Sequence, residues 1–337
     1  MEHLGTAMRP VSRLIGIEPE AFPPSTLWAL TGQPAIHRAV VRLQPDVVWA
    51  TCPPPAALFA AVGALRRRST PLVAELRDLW AGNPYFDAGG ATLARIERRM
   101  LSRADAVVSV TEGCRDRLLA LHPEVAPKFE LLPNGFDPFL LDLRGDATAR
   151  RSPRFTLVHA GTLYGDRSVV KLLRALSRPE LRRRVRLELV GPIDGASGAA
   201  IAALDGTPEV HLTPPVSWRQ AIEHTRAADI AVVINSPGTG GDMALPSKLF
   251  EALALGKPIL ALTSPGSDTE GLLRALGQDA GCAPPGDEDA IARAVARLIE
   301  EPPEPVPPER LAHWDRTVVA QRAAIMLDGL VARAAIS

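Results

Sequence analysis

Short apolar runs alternate with amphipathic stretches along nearly the whole chain. In the first half Val47 to Thr51, Leu72 to Leu76, Ala106 to Val110 and Phe129 to Leu132 read as strands. Between them, Ala56 to Arg68, Ala91 to Ser102 and Gly113 to Leu121 read as helices. The second half predicts strands at Phe155 to Ala160, Val185 to Val190, Val210 to Leu212, Ile230 to Ile234 and Ile259 to Leu262, with helices starting at Ser168, Gln220, Ser247, Glu270 and Glu288. The strands are continuously apolar, as parallel strands covered on both faces are. Such βαβ alternation in both halves predicts an α/β protein with two doubly wound, Rossmann-like parallel sheets. A first domain is expected over residues 1–145 and a second over 150–310, divided near Pro138 to Pro153, where Arg, Asp, Gly and Ser replace apolar runs. The proline-rich stretch from Pro302 to Pro308 reads as a stiff linker before a terminal segment, 311–337, whose last helix is Thr317 to Ala334.

The segment Asp229 to Leu262 carries the most chemistry. Its two apolar runs enclose Gly238, Gly240 and Gly241, a tight turn, and then a helix expected from about Leu245 to Leu255. Pro246 suits the first helical turn, Gly256 the left-handed position past the helix end, and Pro258 blocks continuation. The helix N-terminus opens onto the glycine loop, so its amides and macrodipole would attract an anion. Lys248 adds a full charge one turn in, and Glu251 could accept hydrogen bonds from a pair of hydroxyls such as a ribose presents. Glycine loops occur in any doubly wound unit, so the glycines alone do not specify this. Lysine is scarce, only Lys128, Lys171, Lys248 and Lys257 amid abundant arginine, and two of the four flank this helix. An ammonium is not equivalent to a guanidinium at a phosphate.

Composition narrows the rest. The 337 residues suit two ordinary domains, 46% hydrophobic content supplies two cores, and a formal charge of +0 leaves no overall electrostatic footprint for nucleic acid. The local patches Arg66-Arg67-Arg68 and Arg182-Arg183-Arg184 read as solvated helix ends or loops. Cys52, Cys114 and Cys282 are odd in number and widely spaced, which fits reduced thiols in a cytoplasmic protein rather than a disulfide framework or zinc site. No run reaches membrane-spanning length, and Met1 to Leu4 does not open a signal peptide.

At Pro246-Ser247-Lys248-Leu249-Phe250-Glu251-Ala252-Leu253-Ala254-Leu255-Gly256-Lys257-Pro258 the chain resembles the donor-site helix of GT-B glycosyltransferases, particularly glycosyltransferase family four in its Pro-Ser-Lys form. Other stretches agree in order and spacing: Pro45 to Thr51 with Pro53-Pro54-Pro55, Glu75 to Trp80, Leu132 to Asp137, His159 to Gly165, and Leu189-Val190-Gly191. The resemblance implies two such domains facing a cleft, with the terminal helix crossing back to the first. It implies a nucleotide diphosphate sugar as donor, a sugar, lipid-linked or small-molecule acceptor, and no metal or other cofactor. The diphosphate would be held by Gly161, Thr162, Arg167, Lys248 and the helix N-terminus, the ribose by Glu251, and the sugar approached by Gly240, Gly241 and Asp242, with Gly191, Pro246 and Ser247 also in the nucleotide-sugar site. Acceptors on lipids would bring the protein to the inner membrane face, through Arg66, Arg67 and Arg68.

Three departures stand out. The first of the family's paired glutamates falls on Met243, so that contact is absent or taken by Asp242. The family's phosphate-binding arginine and lysine fall on Thr162 and Arg167, a loss that Lys248 would offset. The family's opening strand and glycine turn have no counterpart before Asp46; Met1 to Pro24 shows no strand pattern.

Residues just after strands carry functional weight in open α/β sheets. Asp78 is the candidate for orienting an acceptor hydroxyl or, in an inverting reaction, for general base, and Arg77 for an acceptor phosphate. The alternative for Asp78 is helix capping and pairing with Arg77. Glu112 follows the third strand, Asn134-Gly135 reads as a structural turn, and His159 as a satisfied core residue. Asp287-Glu288-Asp289 opens a helix, where acidic residues belong, and is not read as a metal site. The reaction expected is retaining glycosyl transfer. The alternative is a noncatalytic nucleotide-binding or partner-supporting protein.

Overall fold

The computed structural model describes residues 26–83, 90–145, 153–163, 167–204 and 208–336. They form two compact units, one running to Pro133 and taking in the chain from Ala320 onward, the other Asn134–Val319. The reading of Met1 to Pro24 lies outside the described residues, as do Pro84 to Phe86, Tyr164 and Gly165.

The first unit is built on a parallel sheet of four strands in the order β1 (Val48–Cys52), β2 (Leu72–Leu76), β3 (Ala106–Ser109) and β4 (Phe129–Leu131). Helices α1 (Thr26–Leu43), α2 (Pro55–Ala64), α3 (Gly90–Leu101) and α4 (Glu112–Leu121) accompany it. Leu72, Val73, Ala74, Val107 and Val108 are fully buried, as the apolar runs require of central strands. Helix α1 was not expected, because Gly32 and Pro34 interrupt its pattern. It packs on α2, with Ile36 against Ala56 and Ala60. Gln33 lies so close to Gly63 that a Cβ there would stand 2.3 Å from its amide carbon. Helix α2 stops at Ala64, short of the predicted Arg68. The chain then turns, and Arg103 Nη2 donates to the carbonyls of Leu65 at 3.3 Å and Arg68 at 2.9 Å.

The second unit holds a six-stranded parallel sheet, β10-β9-β8-β5-β6-β7. The chain enters at β5 (Phe155–Ala160), steps outward through β6 (Val185–Val190) and β7 (Glu209–Thr213), then returns to the other side of β5 for β8 (Ile230–Ile234), β9 (Ile259–Leu262) and β10 (Cys282–Ala283). The order therefore reverses between β5 and β8, the switch point where open α/β sheets bind ligands. Successive strand residues face opposite sides. Leu157, Leu187, Val232 and Leu260 join α5 (Val170–Leu176) and α10 (Glu288–Glu300) in one core. Ala231, Val233, Ile259 and Ala261 join α8 (Ser247–Ala254) in the other. Helices α6 (Gly195–Ala202), α7 (Trp218–Ala227) and α9 (Asp268–Ala275) also belong to this unit. Helix α6 escaped notice because Gly, Ala and Ser give it no apolar period; Asp194 caps it, accepting from Ser197 N at 2.7 Å.

The proline-rich stretch is not a free spacer. Val306 is buried, Gln278 Nε2 donates to Glu304 O at 2.8 Å, and the Trp314 ring lies 5.7 Å from that of Phe250 in α8. Helix α11 (Arg316–Ala334) follows, and Arg322 Nη2 donates to Leu131 O at 2.7 Å at the end of β4.

Asn134-Gly135 is a tight structural joint. Phe136 N donates to Trp314 O at 3.0 Å and Arg316 N to Phe136 O at 3.0 Å. A Cβ on Gly135 would stand 2.1 Å from Trp314 O. Gly135→Ala should therefore destabilise the second unit by about 1–3 kcal/mol, the usual range for overpacking. Urea unfolding followed by tryptophan fluorescence tests this; an unchanged midpoint would contradict it.

Candidate functional site

The glycine loop after β8 is shaped by backbone packed on backbone. A Cβ on Gly241 would fall 1.6 Å from Ser236 O, so no side chain fits. Gly238 takes a positive φ of 89, and its carbonyl accepts from Gly241 N and Asp242 N, both at 2.9 Å, closing a four-residue helical turn, Thr239–Asp242. Side chains then fix the approach to α8. The Ala244 carbonyl accepts from Thr269 Oγ1 at 2.7 Å and Asn235 Nδ2 at 3.4 Å, and the Leu245 carbonyl from Asn134 Nδ2 at 3.0 Å.

Pro246 is the N-cap of α8, with φ −70 and ψ 146, one residue before the first helical turn in which it was expected. Thr111, Asp194, Ser217, Ser267 and Asp287 each cap the helix they precede with a side-chain oxygen. Pro246 has none to offer the first amides of α8. The helix ends at Ala254, Gly256 adopts the left-handed φ of 70, and Arg144 donates to the carbonyls of Ala254 at 2.7 Å and Leu253 at 3.3 Å. With Leu249, Phe250, Ala252 and Leu253 buried on its inner face, α8 is fixed at both ends and along its length.

Cations gather where α8 meets β5. Gly161 and Gly191 directly follow β5 and β6 with positive φ of 145 and 121, and a Cβ on Gly191 would stand 2.8 Å from Gly161 O. The ammonium of Lys248 lies over Gly161, where a Cβ would be 2.2 Å from Nζ. Burial, then the neighbouring Arg167 charge, pull the Lys248 amine down to about 8, with Glu251 acting in the opposite sense. His159 Nε2 faces Nζ at 3.5 Å, while its Nδ1 lies 3.0 Å from Val232 O. Burial and then the Lys248 charge push this imidazole down to about 3, so the ring is neutral at ordinary pH.

Glu251 lies one turn further along α8. Its Oε1 accepts from Trp218 Nε1 at 2.9 Å, with Arg316 Nη2 at 3.8 Å. Trp218 itself meets Phe139 edge-on, ring centroids 5.9 Å apart. Nothing in the sequence marks Trp218 or Asn235, and Asn134 reads there only as part of a turn, because the Glu251, Thr269 and Leu245 partners lie 33, 34 and 111 positions away. Thr162 is exposed, Gly240 and Ser247 are half-buried, and Asp242 Oδ1 is buried without a hydrogen-bond partner among the described residues.

Asp78 belongs to the first unit, exposed just beyond β2. The loop it opens is pinned by a buried pair: Ala81 N donates to Glu97 Oε1 at 3.1 Å, and His122 Nε2 lies 2.7 Å from Glu97 Oε2. Glu112 pairs with Arg115 on α4 behind its Thr111 cap. Asp287 caps α10, while Glu288 pairs with Lys171 and Asp289 with Arg178. Lys257 differs from its neighbour Lys248: it donates to Ala228 O at 2.7 Å, as Lys128 does to Leu101 O and Ala104 O, so both seal carbonyls. Cys52 and Cys282 are thiols that burial pushes up to about 12. Arg66 and Arg67 line a cleft of about 330 Å³ with Gln33, His37, Gly63 and Ala64. Among the described residues no helix is long and apolar enough to cross a membrane.

The niche is glycine-lined and cationic, and it lies at the switch point where open α/β sheets bind ligands. Residues 5–135 match the Glycosyl transferase 4-like domain and residues 154–301 the Glycosyl transferases group 1 domain. The chain belongs to the GT-B glycosyltransferases of the family-four-like kind, and is a glycosyltransferase by that membership. Solved structures share the fold. A glycosyltransferase from Rickettsia africae ESF-5 is 13% identical, with a TM-score of 0.67 over 90% of this chain and 81% of that one. Alr3699/HepE of Anabaena, in complex with UDP, is 17% identical, with a TM-score of 0.64 over 91% and 82%. The alpha,alpha-trehalose 6-phosphate synthase of Burkholderia multivorans is 15% identical, with a TM-score of 0.65 over 91% and 77%. Comparison with curated protein sequences finds no match.

The buried neutral imidazole makes stability depend on pH. The unfolded chain protonates His159 below its ordinary 6.5 and the folded chain only near 3. Its contribution is complete above pH 6.5 and is lost as pH falls toward 3, by at most about 1.4 kcal/mol per pH unit. The gap in melting temperature between the wild type and His159→Asn should therefore narrow from pH 7 to pH 4.5. A constant gap would contradict a neutral, buried ring.

Proposed function

We propose that the protein transfers a sugar from a nucleoside-diphosphate sugar to an acceptor hydroxyl, with retained stereochemistry and no metal. The observation that carries this reading is the Lys248 ammonium, held beside Arg167 and over Gly161 at the uncapped start of α8. Keeping a partly dehydrated cation next to another is unfavourable until an anion arrives, and a diphosphate is an anion of the right size and charge. That HepE of Anabaena has been solved with UDP and with UDP-glucose supports the same donor class.

In this reading Lys248, Arg167 and the first amides of α8 stabilise the charge that builds on the departing diphosphate, with Gly161, Thr162 and Gly191 giving it close access. Preorganised positive charge of this kind does the work a divalent metal would otherwise do. Glu251, steadied through Oε1 by Trp218, presents Oε2 to the ribose hydroxyls. Gly240, Gly241 and Asp242 approach the sugar, and Asp242 replaces the carboxylate that Met243 lacks. As the bond from the anomeric carbon to phosphate oxygen breaks and the bond to the acceptor oxygen forms, the acceptor proton passes to the departing phosphate. Lys248 takes over the charge that Thr162 does not supply, as the Pro-Ser-Lys form of the family implies. Asp78 is the candidate for acceptor binding in the first unit, and the cleft bearing Arg66 and Arg67 for an anionic lipid surface.

Calorimetric titration with UDP, GDP and ADP and their sugars, followed by hydrolysis and transfer assays with and without EDTA, tests the reading. One nucleoside diphosphate should bind, and EDTA should leave turnover unchanged. Lys248→Ala should weaken diphosphate binding at least about tenfold, the scale of one charge-assisted hydrogen bond. Glu251→Ala should weaken the nucleoside diphosphate more than inorganic pyrophosphate. Binding of no nucleoside diphosphate would overturn the proposal.

A further inference from the structure

His159 sits in the interior of β5, two residues before Gly161 and only 2% exposed, among neighbours such as Leu157 and Val158 that are simply apolar. A polar ring in such a place is costly unless both nitrogens are engaged, and here both are. Val232 O, on the adjacent strand β8, can only accept, so Nδ1 carries the proton. The neutral ring then presents its lone pair at Nε2, 3.5 Å from Lys248 Nζ. An ammonium can only donate, so donor and acceptor are unambiguous. Among the described residues, the charged groups acting on Lys248 are Arg167 and Glu251.

We propose that His159 is a positioning residue for Lys248: through a tautomer fixed by the β8 backbone, its Nε2 engages one ammonium hydrogen and holds the amine over Gly161, ready for an incoming phosphate oxygen. The proposal rests on the reading of Lys248 as a diphosphate ligand. Its energetic logic is preorganisation. A lysine side chain is long and rotamer-rich, and anchoring its tip before the ligand arrives removes an ordering cost from the binding step. Neutrality is essential to the role, because a protonated ring would repel the amine it has to hold. The depressed imidazole keeps the acceptor available throughout the physiological range.

The test separates this role from plain core packing. His159→Asn keeps an amide that can donate to Val232 O but has no atom reaching Lys248; His159→Gln reaches further and can restore an acceptor. Affinity for the nucleoside diphosphate should fall about tenfold in His159→Asn and recover to within about threefold in His159→Gln. In a Lys248→Met background His159→Asn should cost nothing further, since the two residues act as one unit. An Asn variant that binds as the wild type does, or that loses the same factor with and without Lys248, overturns the proposal. Imidazole nitrogen shifts of the ligand-free wild type and Lys248→Met proteins judge the contact without any donor. Nδ1 should be protonated in both, and Nε2 should shift when the amine is removed. An unmoved Nε2 resonance sinks the inference, whereas failure of every nucleoside diphosphate to bind, with that shift present, counts against the donor reading alone.

Discussion

A lysine amine lying over a glycine at the carboxyl end of β5 is the contact that defines the niche of the second unit. For Lys248 to reach Gly161, α8 must start at the carboxyl end of the sheet, at the right height and rotation, and β5 must be followed by a residue without a side chain. The amine then stands at the junction between β5 and β8, where the strand order reverses and the crossover helices part. Burial and a second cation make this an uncomfortable place for positive charge. That discomfort gives the niche its chemical meaning, because negative charge relieves it.

The supports of α8 form a set with one effect. Asn134 and Thr269 hold the carbonyls leading into it, Arg144 closes its far end, and Phe250 packs against Trp314, just beyond the proline-rich stretch. None of these residues bears on an anion directly. Together they leave the helix little freedom to move, so the positions of Lys248 and Glu251 are properties of a rigid element rather than of a loop. Trp218 extends the principle to the carboxylate, and His159 to the amine.

Much of this was legible in the sequence. The central strands were readable almost to the residue because burial on both faces leaves continuous apolar runs, and Pro246 with Gly256 punctuated α8 correctly in outline. The departures at Thr162 and Met243 were visible as substitutions in a familiar pattern. Helices α1 and α6 were not, the first because proline and glycine break its period, the second because small residues give none. Lysine scarcity pointed equally to Lys248 and Lys257. Only in the folded chain does one amine face a glycine-lined niche while the other seals a carbonyl.

By itself, the sequence determined which segments become strands, which turn demands glycine, and which charged residues stand near the start of a helix, because periodicity, backbone sterics and capping act over a few neighbouring residues. It could not decide the partners of His159, Glu251, Asn134 or Asn235. Those contacts join residues from 9 to 111 positions apart, and only the order of strands and the packing of helices on them bring such residues together. A buried histidine looks the same in a sequence whether it fills space or holds an amine. The difference lies in which carbonyl and which ammonium the folded sheet places at its two nitrogens.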